Sequence, residues 1–571
     1  MASWLADSDV DEPCQADVEV SGTDTSSEVQ LSDDTLDNVS GDEDSDDDDG
    51  EWRRLAEVDR GAVPIHFTAT PGPINIPENT TKPIDYFNLF FSDALIDKIV
   101  EETNRYSDQY FEENQRFLAG KPKSRSHQWI REGHTTRDEM RAFLGVALNM
   151  GIVQKPTIES FWDTMHPSID TPWFRRHFKR NRFQLILKFL HFNDNSSYNE
   201  QNPDHVLYKI QPLIDHFQAK FLQYFHPDKN ISLDESLIAF KGLTPNIRQF
   251  MRNKHHAKFG IKMWCVCDVS TGYTCTFEIY RGKTREPPRG ALTITHNTAM
   301  RLLSQANLLN LGHNVGFDNF FSSPALFQDL YQRGTTATGT VRSNRRGLPN
   351  ELRETRVASN EVVEWRSGNL LCVKFRDGSK DPVHLISTTC SAGFTPTANR
   401  RGERVIRPNI VNEYNKIMGG VDLKDTKLYA YLSERRTEKW TTKVAFYFFG
   451  TAMLNSYIIY KMHTEETVMP RLKFMLSIID ELVSKYDPQR VRIGYRRRME
   501  DTEERQRQPL AILTPNIDPQ AEHRLEKLPK KKLRNCAAGH DRRVRSNYIC
   551  KRCNVGLCVT CHFDFHHRQN L

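Results

Sequence analysis

GIKMWCVCDVSTGYTCTFEIYRG, residues 260–282, is the stretch on which the fold turns. Its first half is an apolar run closed by Asp268, Ser-Thr-Gly follows at 270–272, and a second β-branched and aromatic run completes a hairpin. Just upstream, ISLDESLIAFKG (231–242) reads as a short strand and turn. Downstream, the spacing predicts a helix over 295–309, then a strand Asn-Val-Gly-Phe (314–317) ending in Asp318. A second helix over 322–334 starts at Ser322 or Ser323 and stops at Gly334, and TTATGTV (335–341) returns as a strand. Strand–strand–helix–strand–helix, with a carboxylate at two strand ends, predicts an α/β core.

Working outward, residues 85–224 carry apolar positions at helical spacing, with Ser92 placed as the cap of ALIDKIVEE and a helix opening at 135–140. Residues 342–407 are less regular and hold two strand-like runs, 369–377 and 382–388. Helical patterns return over 433–463 and 470–486, and a polar, Pro-containing linker follows.

Charge is unevenly spread. Residues 1–50 contain 18 Asp and Glu and no Lys or Arg, and the rest holds 78 basic against 56 acidic side chains. GDEDSDDDDG (41–50) repels itself and buries no apolar area, so residues 1–84 are expected to be a disordered acidic tail. A basic body points to a polyanion such as DNA. Candidate DNA contacts are Arg175, Arg176, Lys179 and Arg180 in the aromatic-rich segment 171–192, and Arg342, Arg345 and Arg346 in a basic turn. No run of about 18 apolar residues is present, so no membrane partner is expected. The N-terminus lacks the pattern of a secretory signal.

Candidate chemistry lies in Asp268, Asp318, Asp422 and Asp425. The last two sit three apart in YNKIMGGVDLKD (414–425), where two carboxylates at i and i+3 share a helix face. Asp422 also suits a helix N-cap. Carboxylates converging from separated segments suit Mg²⁺, and a pair of such ions serves phosphoryl transfer.

Five of the eleven cysteines lie in 536–561. Cys536, His540, Cys550, Cys553, Cys558, Cys561, His562, His566 and His567 offer nine ligands, eight of which would hold two structural Zn²⁺. A cross-brace would join Cys536 and His540 to Cys558 and Cys561, leaving Cys550 and Cys553 with two of the late histidines. From Lys527 onward there are 11 basic and 2 acidic residues, so Lys530, Lys531, Lys532, Arg542 and Arg543 are further DNA candidates. The run 530–532 with Arg534 also suits a nuclear localisation signal.

SLDESLIAFKG, GIKMWCVCDVSTGY, VGFDNFFSSPALFQDL, YNKIMGGVDLKD and SERRTEKWTTK, in that order, resemble the piggyBac-like DNA transposases over residues 84–571. That resemblance implies an RNase H-like core in which Asp268, Asp318 and Asp422 form a metal-binding triad for two Mg²⁺ ions, with Asp425 beside them. It implies Trp440 near transposon-end DNA. It also implies a helical dimerisation and DNA-binding domain (85–260 and 431–490), a split core (261–341 and 408–430), and an inserted β-rich domain (342–407). A linker (491–532) and a cysteine-rich zinc domain (533–571) complete it. The implied reaction is cut-and-paste transposition through hairpin ends at TTAA targets, by a nuclear homodimer or higher oligomer acting on double-stranded terminal inverted repeats. Other readings are a domesticated DNA-binding protein and a zinc-finger adaptor.

Overall fold

The computed structural model describes residues 52–487 apart from 57–58, 116–124, 200, 202–204, 243–246, 252–257, 283–292, 399–401, 403, 434–436, 438 and 465–466; beyond these it describes 525–528, 534–535, 545–550 and 557–559. One unit lies within Met1–Pro488 and another within Gln489–Leu571.

In the first unit the strands are β1 (Arg53–Arg54), β2 (Gly72–Pro73), β3 (Phe225–His226), β4 (Asn230–Ala239), β5 (Arg248–Phe250), β6 (Phe259–Asp268) and β7 (Thr274–Ile279). They continue as β8 (Asn314–Phe317), β9 (Thr336–Thr340), β10 (Val362–Ser367), β11 (Leu370–Phe375), β12 (Val383–Ser387), β13 (Phe394–Ala398) and β14 (Arg404–Pro408). Ten of these form one sheet in the order β1-β10-β11-β12-β9-β8-β4-β6-β5, with β7 also paired to β6. β4, β8 and β9 run parallel, and every other pair in this sheet is antiparallel. Parallel strands are covered on both faces, so they are apolar without alternation. β8 and β9 are buried at every position.

The helices Ile294–Gln305 and Pro324–Gln332 pack Leu302, Leu303, Leu326 and Phe327 onto Leu233, Val266, Val315 and Phe317. Ser323, not Ser322, caps the second of them, accepting from the Leu326 N–H at 3.2 Å. A larger core joins the helices Pro83–Phe90, Arg137–Ile152, Gln211–Tyr224, Trp440–His463 and Arg471–Ser484. Ser92 and Thr136 cap the helices that follow them. Within the helical part, Arg182 forms a buried two-pronged pair with Glu139 (2.8 and 2.6 Å) and lies over the Trp129 ring. Its charge therefore serves packing.

Three boundaries differ from expectation. β4, expected as a strand but grouped with the helical domain at 85–260, belongs to the central sheet of the core. β10, β11 and β12, expected in a separate inserted domain, extend that same sheet from β9; only β13 and β14 stand apart as a hairpin. The described residues from Trp52 are packed rather than part of a disordered tail: β1 pairs with β10, and Asp59 forms a buried ion pair with Arg366.

In the second unit, strands Leu525–Lys527 and Tyr548–Cys550 pair, as do Arg534–Asn535 and Arg545–Ser546. Cys550 is buried and Cys558 half-buried. The other seven candidate zinc ligands, and Lys530, Lys531, Lys532, Arg542 and Arg543, lie outside the described residues.

Candidate active site

Leu233 and Phe317 are Cα partners in the parallel pair β4–β8. The next residue on each strand is an aspartate, so Asp234 and Asp318 come together where β8 ends. Ligand crevices in open α/β sheets form outside such carboxyl ends. Oxygens of Asp234, Glu235 and Asp318, all half-buried, lie within 4.8 Å of one another. Burial first, and then the Glu235 charge, push the Asp318 carboxyl up to about 7, against the opposing N–H groups of Phe321 and Phe320 and the charge of Lys262. Asp318 Oδ1 accepts from the Phe320 and Phe321 N–H groups at 3.2 and 3.4 Å, which fixes the turn after β8.

The helices Asn409–Ile417 and Gly420–Tyr429 bring YNKIMGGVDLKD to the same place. Burial, and then the charges of Asp318, Asp234 and Asp422, raise the Tyr414 phenol above its ordinary range despite its bond with Thr340. Tyr414 thus stays a protonated donor among three carboxylates. The helix cap is Gly419, and Asp422 stands exposed in the first turn, where the N-terminal dipole favours a carboxylate. Gly420 is needed for close approach. A Cβ there would lie 2.4 Å from Ser232 Oγ, whereas one on Gly419 would meet nothing within 4 Å.

Asp425 is otherwise engaged. Its carboxylate accepts from Ser236 Oγ at 2.8 and 2.9 Å and from Lys424 Nζ at 2.6 Å. Lys424 is buried and also reaches Ser236 Oγ and the Tyr447 hydroxyl (2.7 Å). Burial opposes the Lys424 charge, but Asp425 holds the ammonium well above its usual range. The pair joins the Gly420–Tyr429 helix to β4, the strand that carries Asp234.

Asp268 is not brought to the cluster. It lies opposite Ile231, whereas Asp234 lies opposite Cys265, three residues along the ladder and so about 10 Å away. Its buried carboxylate accepts from Ser270 Oγ (2.7 Å), Thr271 N (2.7 Å), Thr271 Oγ1 (2.6 Å) and Asp228 N (2.9 Å). It ties the turn between β6 and β7. Asp234 and Glu235, overlooked as candidates, carried a legible signal: two adjacent acids in the middle of a strand flanked by Leu233, Leu237 and Ile238, where burial of charge is costly without a task.

The basic candidates scatter. Arg175 pairs with Asp170, Arg176 and Arg180 are exposed, and Lys179 is half-buried. Arg345 donates to the Asn319 (3.2 Å) and Phe320 carbonyls and so clamps the turn after Asp318, with Arg342 half-buried and Arg346 exposed nearby in sequence. Trp440 begins its helix half-buried against the helical core.

The family described as Transposase IS4 matches residues 82–457, most of the chain and all of this site. The chain belongs to the piggyBac-like transposase family. Relatives include the human PiggyBac transposable element-derived protein 3, 24% identical over 530 residues, covering 90% of this chain and 81% of that one. The human PiggyBac transposable element-derived protein 2 is 26% identical over 410 residues, covering 69% of this chain and 64% of its own length. In fold, the piggyBac-like chain is similar to the cryo-EM structure of a piggyBac transposase synaptic complex with hairpin DNA, with a TM-score of 0.62 at 23% identity, covering 86% of this chain and 98% of that one. Among the described residues no helix is long and apolar enough to cross a membrane.

Proposed function

We propose that this protein is a cut-and-paste DNA transposase whose strand cleavage and joining take place on Asp234, Asp318 and Asp422. The observation that carries the proposal is the meeting of Asp234, Glu235 and Asp318 at the end of β8. Oxygen-only donors there suit Mg²⁺. Bound divalent ions would supply a water of lowered pKa and neutralise charge on the leaving 3′ oxygen. The chain's own part is positional. Gly420 lets the helix bearing Asp422 close on β4, and Lys424 with Asp425 holds it there. Tyr414 keeps its proton beside the carboxylates and can donate to an oxygen bound among them.

With family membership, this favours excision of double-stranded terminal repeats through hairpin ends and rejoining at TTAA, by a nuclear homodimer or larger assembly. Cys550, Cys558 and the late cysteines and histidines would hold structural Zn²⁺ in a basic DNA-binding module. The test is excision in vitro from a plasmid carrying the repeats that flank the gene, with Mg²⁺ and the full chain. Asp234→Asn and Asp318→Asn should each abolish excision while end binding persists.

A second reading is DNA binding without strand transfer, favoured by the two human relatives being named transposable element-derived. Wild-type protein that binds its ends yet never nicks them would establish it.

A further inference from the structure

Lys262 of β6 stands at the edge of the carboxylate site, where its charge acts on Asp318. Its Nζ lies 4.0 Å from the centre of the Trp264 ring and 4.9 Å from that of Phe320. The two rings are stacked, with centroids 5.3 Å apart. Each is tied to the site: Trp264 is the Cα partner of Glu235, and Phe320 donates its N–H to Asp318. Among the described residues, no acceptor lies within hydrogen-bond distance of this ammonium and no carboxylate within ion-pair distance. Aromatic faces attract a cation but accept no conventional hydrogen bond from it. A half-buried lysine so held keeps three N–H donors for an incoming anion.

We propose that Lys262 is the phosphate ligand of this site, donating to a non-bridging oxygen of the phosphodiester that lies on Asp234 and Asp318. The chemistry selects phosphate. A carboxylate ligand would be repelled by Asp234, Glu235 and Asp318, whereas a phosphodiester could share a divalent cation held by them and still offer a non-bridging oxygen to the ammonium. Lysine suits this place because it is a compact point charge on a flexible stem. Trp264 and Phe320 limit that flexibility by confining the stem between the sheet and the turn after Asp318. The charge of Lys262 already acts on Asp318, which supports their proximity. This inference rests on the proposed strand-cleavage function.

The test uses the full chain loaded with Mn²⁺ and the dinucleotide d(TpT), which has one phosphodiester. Electron paramagnetic resonance gives Mn²⁺ affinity, and ³¹P relaxation reports the phosphodiester near the bound ion. Wild type, Lys262→Met and Lys262→Arg should bind Mn²⁺ within about 3-fold of one another, since none loses a carboxylate. The ³¹P relaxation enhancement should fall about 10-fold or more in Lys262→Met, the loss of one charge-assisted hydrogen bond, and return in Lys262→Arg. Equal relaxation in wild type and Lys262→Met would overturn the assignment. Wild type that binds Mn²⁺ without relaxing d(TpT) would also overturn it and leave the metal site standing. Wild type that binds no Mn²⁺ would instead remove the proposed function, and the role of Lys262 with it.

Discussion

Asp234 and Asp318 meet because Leu233 and Phe317, the residues before them, are paired across the parallel strands β4 and β8. Neither aspartate gains this neighbour from local sequence. The juxtaposition belongs to the register of the sheet, and several consequences can be measured.

Asp234→Asn and Asp318→Asn should each weaken Mn²⁺ binding by about 10-fold or more, by removing one anionic ligand. Asp268→Asn should leave Mn²⁺ affinity unchanged and lower stability instead. The new amide would present N–H to the Asp228 N–H, a mispairing that costs about 1–3 kcal/mol in a buried site. Paramagnetic titration and urea melts separate the two effects. Loss of Mn²⁺ binding in folded Asp268→Asn would restore Asp268 to the metal site.

The two neighbouring glycines should respond differently. Gly420→Ala places a methyl 2.4 Å from Ser232 Oγ and should cost about 1–3 kcal/mol by overpacking. Gly419→Ala meets nothing within 4 Å and should stay within about 0.5 kcal/mol of wild type. Thermal melts of the two variants decide it, and equal shifts would refute the close-approach account.

Lys424→Met should be severe because it leaves Asp425 without its cation beside Ser236. Breaking one side of a buried pair costs about 3–5 kcal/mol. Lys424→Met combined with Asp425→Leu should recover a large part of that loss, since no unpaired charge remains. A double-mutant cycle in urea gives the coupling. Additive losses would show that the pair carries no mutual stabilisation.

Acid should destabilise the first unit through its buried histidines before its carboxylates, Asp318 excepted, titrate. Burial lowers His191, His313 and His384 to about 4 each, with only part of the loss at His191 offset by Asn195. In the unfolded chain these imidazoles take protons near the ordinary value of about 6.5. Their contribution is therefore complete above about 6.5 and is lost as pH falls toward 4, by up to about 1.4 kcal/mol per pH unit for each histidine. Urea midpoints at pH 7 and pH 5 should differ accordingly, and His384→Gln should flatten the dependence. A flat profile in wild type would contradict the burial of these rings.

Much of this protein is legible in its sequence. The hairpin around Ser270–Gly272, the alternation that follows it, the cap at Ser92, the helix start at 135–140 and the serine cap at 322–323 all rest on local rules. Hydrophobic period, turn chemistry and capping are short-range, so the chain announces them residue by residue. The YNKIMGGVDLKD segment likewise placed Asp422 at a helix start, which the structure has in the first turn after Gly419.

What the tertiary structure decided is which carboxylates share a pocket. Asp268 and Asp234 both lie on strands of the same sheet. Pairing over distant segments gives Asp234 the company of Asp318 and gives Asp268 a turn to hold. Asp425, one helical turn from Asp422, is taken up by Lys424 and Ser236. Lys262 acquires its place only when Trp264 and Phe320 stack. The physical reason is common to all three: strand register and side-chain partnering are set by contacts between residues far apart in sequence, and the chemistry of a charged group follows from the partners it is left with.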